Sequence, residues 1–225
     1  MKNIILAILC IGTLFVSSCS SSSDSSSTVS ANGTIDLAIN LKNPTLVSER
    51  QRLYVGLYKE NNYEATVSKP LESKVEQTIN IRNIPNGTFT LKIEAKQGSN
   101  VKSTIYTQPV EITDQNQTVE IDANLASFQR INSGLFKQCA NCHDINIASE
   151  NGNLALNEKV AYNNLVNIDA KNAPIKRVEP YKTAESFLIK VVKKENLPFD
   201  HQFEVLAPEQ LKMLEIWIDE GALNN

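Results

Sequence analysis

The chain has 225 residues, with 22 lysines and arginines against 25 aspartates and glutamates, for a formal net charge of −3. It has no basic block and no interleaving of basic with aromatic side chains, so nucleic acid is not expected as a partner. Four cysteines and two histidines limit where metal or redox chemistry can sit.

The first element is "MKNIILAILCIGTLFVSSC". Lys2 precedes an apolar run from Ile4 to Val16, about 13 residues long against the ~20 needed to span a bilayer, so an export signal is expected over residues 1–18. An ordinary secretory signal is one reading of it. The ending "VSSC" resembles a bacterial lipobox, with Val16, the small Ser17 and Ser18, and then Cys19. That resemblance implies that Cys10 is discarded with the signal. It also implies a lipid on Cys19, membrane lipid as a partner, and a place in the cell envelope at the outer membrane, facing the periplasm or the surface. Several acyl chains anchor a protein stably where one does not. In such an oxidising compartment free thiols rarely persist, which leaves Cys139 and Cys142 to be explained.

Residues 19–33 are dominated by "SSSSDSSSTVSANG", polar and low in complexity, and are expected to be a flexible tether reaching roughly 20 Å. From Thr34 the apolar residues alternate. Ile35, Leu37, Ile39 and Leu41 share one face. Leu53, Val55 and Leu57 share another, as do Phe89, Leu91, Ile93 and Ala95, and then Val119, Ile121, Ala123 and Leu125. "TINIRNI" follows the same rule, and "STIYTQPVEIT" slips near Pro109, which suggests a bulge or an edge. Six or seven short strands predict an all-β sandwich over residues 34–125. Within it "IRNIPNGTFTLKIEA" resembles the Pro-x-Gly-aromatic hairpin of transthyretin-like and carboxypeptidase-regulatory-like domains. With neither cysteine nor histidine, this region reads as a spacer or interaction module that folds on its own.

From Ala126 the period becomes helical. Phe128, Ile131, Leu135 and Cys139 fall on one stripe behind Ser127 as N-cap. "NEKVAYNNLVNI" and "TAESFLIKVVKK" predict two further helices, with Asn157 and Thr183 as caps. "PEQLKMLEIWIDEGA" predicts the last, opened by Pro208, closed by Gly221 and carrying Met213 and Trp217 on its apolar side. An all-α domain over residues 126–225 is therefore expected.

The chemistry concentrates in "FKQCANCH", Phe136 to His143. A zinc site would need a second pair of ligands. His143 and His201 are the available ones, and His143 adjoins Cys142. A redox dithiol ordinarily follows a strand in a βαβ unit, whereas this pair ends a helix. A structural disulfide leaves His143 without a role. Covalent haem attachment uses all three side chains: at helical spacing Cys139, Cys142 and His143 leave one side of the backbone, two thiols for the vinyl groups and an imidazole for the iron.

Residues 134–222 resemble the small cytochrome c domains grouped as planctomycete-type cytochromes. The resemblance rests on "LFKQCANCH", on "LAL" from Leu154 to Leu156, on "AESFLIKVV" and on the closing "LAPEQLKMLEIWIDEGA". It implies a cytochrome c-like fold for residues 126–225, one covalent haem c on Cys139 and Cys142, His143 as fifth ligand, and electron transfer to redox partner proteins. The family shows Met-Pro before its last helix, where this chain has Leu197-Pro198. The sixth ligand is then His201, Met213 or none, and Met213 itself reads as core. The expected whole is a multidomain, membrane-anchored cytochrome lipoprotein that carries single electrons. The alternatives are a peroxidase-like haem enzyme with His201 as its distal acid-base group, and a haem-based sensor or docking lipoprotein. No paired carboxylates or nucleophile-base arrangement is evident, so no catalytic residue is assigned.

Overall fold

The computed structural model describes residues 32–195, 197, 199–202 and 206–225. The export signal, Cys19 and nearly all of the serine tether lie outside the described residues.

Seven strands form first: β1 (Asn32–Lys42), β2 (Arg52–Tyr58), β3 (Val67–Leu71), β4 (Glu76–Pro85), β5 (Gly87–Gln97), β6 (Asn100–Ile112) and β7 (Asn116–Asn124). They make a three-stranded sheet, β4-β1-β7, and a four-stranded sheet, β3-β2-β5-β6. β1 runs antiparallel to β4 and parallel to β7. The alternating residues of β1, β2 and β5 turn inward, and Ile35, Leu37, Leu41, Val55, Leu57, Leu91 and Ile93 share one hydrophobic cluster. Each such side chain, fully buried, contributes about 1.5–3 kcal/mol. β3 is short, holds Pro70 and sits at an edge, where a missing N–H costs no ladder bond.

One local expectation changes, and another is narrowed to one of its two alternatives, the edge. "IPNG" is not a hairpin turn: β4 pairs with β1 and β5 pairs with β2 and β6, so Pro85-Asn86-Gly87 carries the chain from one sheet to the other. Pro109 sits in regular register opposite Thr90 on edge strand β6. The irregularities fall nearer the strand's start, opposite Ile93/Glu94 and Ala95/Lys96.

The larger correction concerns residues 126–225, where the all-α cytochrome c-like domain expected from the sequence does not form. The helices are short: α1 (Phe128–Ile131), α2 (Lys137–Cys139), α3 (Ala161–Leu165), α4 (Phe187–Lys193) and α5 (Pro208–Asp219), of which only α5 reaches 12 residues. The molecule is mostly β-sheet, with turns filling Ala140–Val160. The physical reason lies in Asn and Asp side chains, which bond to nearby backbone and compete with the helix. Asn157 caps nothing with its side chain; it accepts from Ile145 N–H (2.7 Å) and donates to Asp144 (2.7 Å). The second predicted helix stops at Leu165 because Asn167 turns left-handed (φ 60°) and Val166 bridges to Val178. The third opens as a short 3₁₀ turn, with Thr183 bonded across to Glu215 O and Asp219.

α1 and α2 are joined by a π-helical turn, Asn132–Phe136, so a single helical segment delivers the cysteines. Ser127 caps it as expected, accepting from Arg130 N–H (3.2 Å). This segment lies along the edge of β6. The Ser133 hydroxyl accepts from Thr104 N–H (2.9 Å), satisfying an edge donor that would otherwise face outward, and its one proton has Gln129 O (2.8 Å) and Thr104 O (3.1 Å) within reach. Gly134 permits the approach, since a Cβ there would lie 3.0 Å from Ser103 and 3.2 Å from Lys102 O. Arg130 is buried and donates to Leu125 O (2.7 Å) and Leu46 O (2.8 Å); burial pulls its pKa down to about 10. The hydrophobic cluster therefore runs on from the sheets into Phe128, Ile131, Leu135 and Trp217.

Candidate functional site

Past α2 the helical turn continues through the motif. The Cys139 carbonyl accepts from Cys142 N–H (3.1 Å) and from His143 N–H (3.0 Å), the i+3 and i+4 bonds that bring three side chains out of one turn. The two thiols are not bridged to each other. Cys139 is half-buried, its thiol 3.6 Å from Leu135 O, and burial pushes its pKa up to about 11. Cys142 is exposed.

His143 is oriented by the chain that follows it. Its Nδ1 lies 3.2 Å from Leu154 O, and because a carbonyl only accepts, Nδ1 carries the proton and Nε2 the lone pair. Leu156 N–H donates to His143 O (2.7 Å), closing the loop between them. Burial lowers the His143 pKa, and the Arg177 guanidinium nearby lowers it further.

His201 arrives from the segment between α4 and α5. Its ring centroid is 6.2 Å from that of His143, with 18° between the planes. Phe199 packs edge-on against it at 6.5 Å and rests in turn on Phe187 of α4. Burial lowers the His201 pKa, followed by the charges of His143 and Lys194. Both imidazoles are thereby held toward the neutral, metal-binding form.

Cys139, Cys142, His143 and His201 all line one cavity of about 550 Å³, within the roughly 300–1,000 Å³ typical of ligand sites. Its apolar wall includes Leu135, Phe136, Leu156, Leu165, Leu188 and Val192; Lys171, Asn172 and Arg177 supply polar groups. Met213 is buried in the core and is not on this wall. Trp217 packs at 5.5 Å on Phe128 and donates to Leu223 O. Arg177 is a site residue that sequence reasoning missed, and its only signal was an arginine beside Lys176 in "PIKRVEP". Among the described residues no group of three or more His, Cys, Asp or Glu side chains is placed so that it could hold a metal ion by itself.

No family model matches the chain, and no curated protein does. Among solved structures it is similar to the crystal structure of a minor pilin of Streptococcus agalactiae, with a TM-score of 0.26 and 18% identity. That likeness covers 42% of this chain and 44% of the pilin chain, so less than half of the pilin is spanned. At that score it carries no argument about this site. No helix among the described residues is long and apolar enough to cross a membrane.

Proposed function

We propose that this site binds one covalent haem c through Cys139 and Cys142, that His143 and His201 would ligate its iron, and that the protein carries single electrons in the bacterial envelope. The observation that carries the reading is the pair of imidazoles. Two rings that ligate one metal from opposite sides have centroids about 6 Å apart, from about 2 Å per metal–nitrogen bond plus about 1 Å from nitrogen to ring centre. The separation here is 6.2 Å, with 18° between the ring planes, and both rings and both thiols line one cavity. The residues present therefore fit the group. The reading does not require the all-α scaffold that the sequence led us to expect.

The chain's own contributions are specific. Cys139 and Cys142 would hold the group through thioether bonds, each S–H adding across one vinyl group with sulfur going to one carbon and the proton to the other. His143 offers Nε2 because Leu154 O holds Nδ1–H. The apolar wall excludes water, which together with ligand choice sets the potential. When bound, the haem supplies one-electron exchange at iron. His/His ligation places its potential below that of a His/Met site. The proposed envelope location rests on Cys19 as a lipid anchor, to be checked by mass spectrometry of the processed N-terminus, and the proposed redox partners rest on the electron-carrier reading.

The test is expression with a cytochrome c maturation system. Haem staining should survive denaturing electrophoresis and vanish in Cys139→Ser/Cys142→Ser. His201→Ala should convert a low-spin ferric spectrum to high-spin. Stain that persists in the double variant overturns the covalent haem. A high-spin, peroxide-reactive wild type would favour the peroxidase-like reading, and a methionine–iron band unchanged in His201→Ala would remove His201 as ligand.

A further inference from the structure

Arg177 is 8% exposed and spends its hydrogen bonds on main-chain carbonyls: Nη1 on Asn164 O (2.6 Å), Nη2 on Gly152 O (2.9 Å) and Asn153 O (3.1 Å). A buried cation paid with neutral acceptors is a costly arrangement unless their placement matters. Gly152 (φ 70°) and Asn153 (φ 55°) are consecutive left-handed residues, a conformation Asn tolerates and most side chains resist. The next carbonyl along the chain is that of Leu154, the partner of His143 Nδ1–H. The same loop is pinned at its other end by Asn157, through Asp144 and Ile145 N–H.

We propose that Arg177 is a positioning residue for His143: by holding the Gly152 and Asn153 carbonyls it fixes the Leu154 carbonyl against Nδ1–H and so sets the donor strength of Nε2 toward iron. This rests on the haem reading for its consequence, though the clamp itself does not. A ring nitrogen that donates to a carbonyl makes the opposite nitrogen a stronger donor. A stronger donor stabilises ferric iron and lowers the potential. The guanidinium charge acts in the opposite sense, because a cation beside the site favours the reduced form.

Those opposed signs make the test decisive. Arg177→Lys keeps the charge but loses the fork, so the potential should rise and the His143 Nδ1–H proton should exchange faster by NMR. Asn157→Ala, neutral and outside the buried clamp, should move both in the same direction by less. Arg177→Gln loses charge as well and should fall below Arg177→Lys. A role in stability alone would lower the melting temperature and leave the potential where it was. Unchanged potential and exchange in Arg177→Lys overturn the inference, and if Arg177→Lys does not fold, the Nδ1–H exchange of Arg177→Gln decides. If the wild type takes up no haem, the functional reading fails by itself. The Nδ1–H exchange of the haem-free protein, slow in wild type and fast in Arg177→Lys, then still decides the clamp.

Discussion

In the strand region every second residue of β1 and β5 is driven into a core shared between the two sheets, and the ladders satisfy the backbone. Around the cavity the backbone is satisfied differently. Arg177 binds three carbonyls, Asn157 ties Asp144 to Ile145, and Ser186 holds Glu179 and Lys182. The first region is closed by apolar area, which needs no particular partner. The second is closed by individual polar bonds around a space of about 550 Å³. A region built that way gains more from a bound group than a region whose core is already full.

The most forceful way to break this comparison is to remove the group. In Cys139→Ser/Cys142→Ser, the amides of Leu156 and Val178, bonded to His143 O and Leu165 O, should exchange on the order of a hundredfold faster than in the haem-loaded protein. Leu37 and Leu91 amides should be unchanged. Equal acceleration in both regions would show that they are stabilised as one unit, and the contrast would collapse.

The same contrast explains what could be read in advance. A period of two fixes which face of a strand is buried, so Ile35, Leu37, Ile39 and Leu41 were assignable from spacing alone, and all are buried. Pairing was less legible: the Pro-x-Gly stretch has the look of a hairpin but carries the chain between sheets, and nothing local distinguishes the two. At the site, Cys139, Cys142 and His143 were visible because their spacing is a helical one. The facing of His143 and His201 depends on a loop return that spacing does not encode. The failure of the middle helices is physical. Asn157 is drawn to Ile145 and Asp144 and Thr183 to Glu215 and Asp219, partners distant in sequence that no local pattern announces. Arg177 was illegible for the same reason, since its acceptors are carbonyls that exist as a group only once Gly152 and Asn153 turn left-handed.

A smaller effect sharpens the boundary between the regions. Arg130 joins them, reaching Leu125 O and Leu46 O from the helical segment that carries the motif. Arg130→Ala leaves two buried carbonyls without donors and should cost about 2–4 kcal/mol. Because Arg130 acts at the junction itself, strand circular dichroism and Trp217 fluorescence should both shift to lower temperature, the Trp217 signal by more. Equal shifts in a single transition would show that the two regions melt as one unit, and the contrast would collapse.

The smallest effect concerns the strand region's own polar investment. Tyr58 on β2 is buried and donates to Glu94 on β5 (2.6 Å), while Lys96 lies 3.1 Å from the same carboxylate oxygen and Lys92 sits 4.6 Å above the Tyr58 ring. Burial raises the phenol's pKa above its ordinary value of 10.0, and the Glu94 carboxylate raises it further. The folded protein thus keeps a proton that unfolded Tyr58 loses above about pH 10, so the stability is present below that pH and declines as pH rises past it. Tyr58→Phe should cost about 1 kcal/mol at neutral pH, the worth of one buried hydrogen bond. It should also flatten the alkaline decline seen in urea unfolding, though not abolish it, because Tyr106 is also shifted upward by burial and by Asp122. The haem spectrum should not move, since no residue of this network lines the cavity. An alkaline slope identical in wild type and variant would remove Tyr58 from the pH dependence. A change in the haem spectrum would show that the polar face of the four-stranded sheet communicates with the site after all, through β6 and the helical segment laid along its edge.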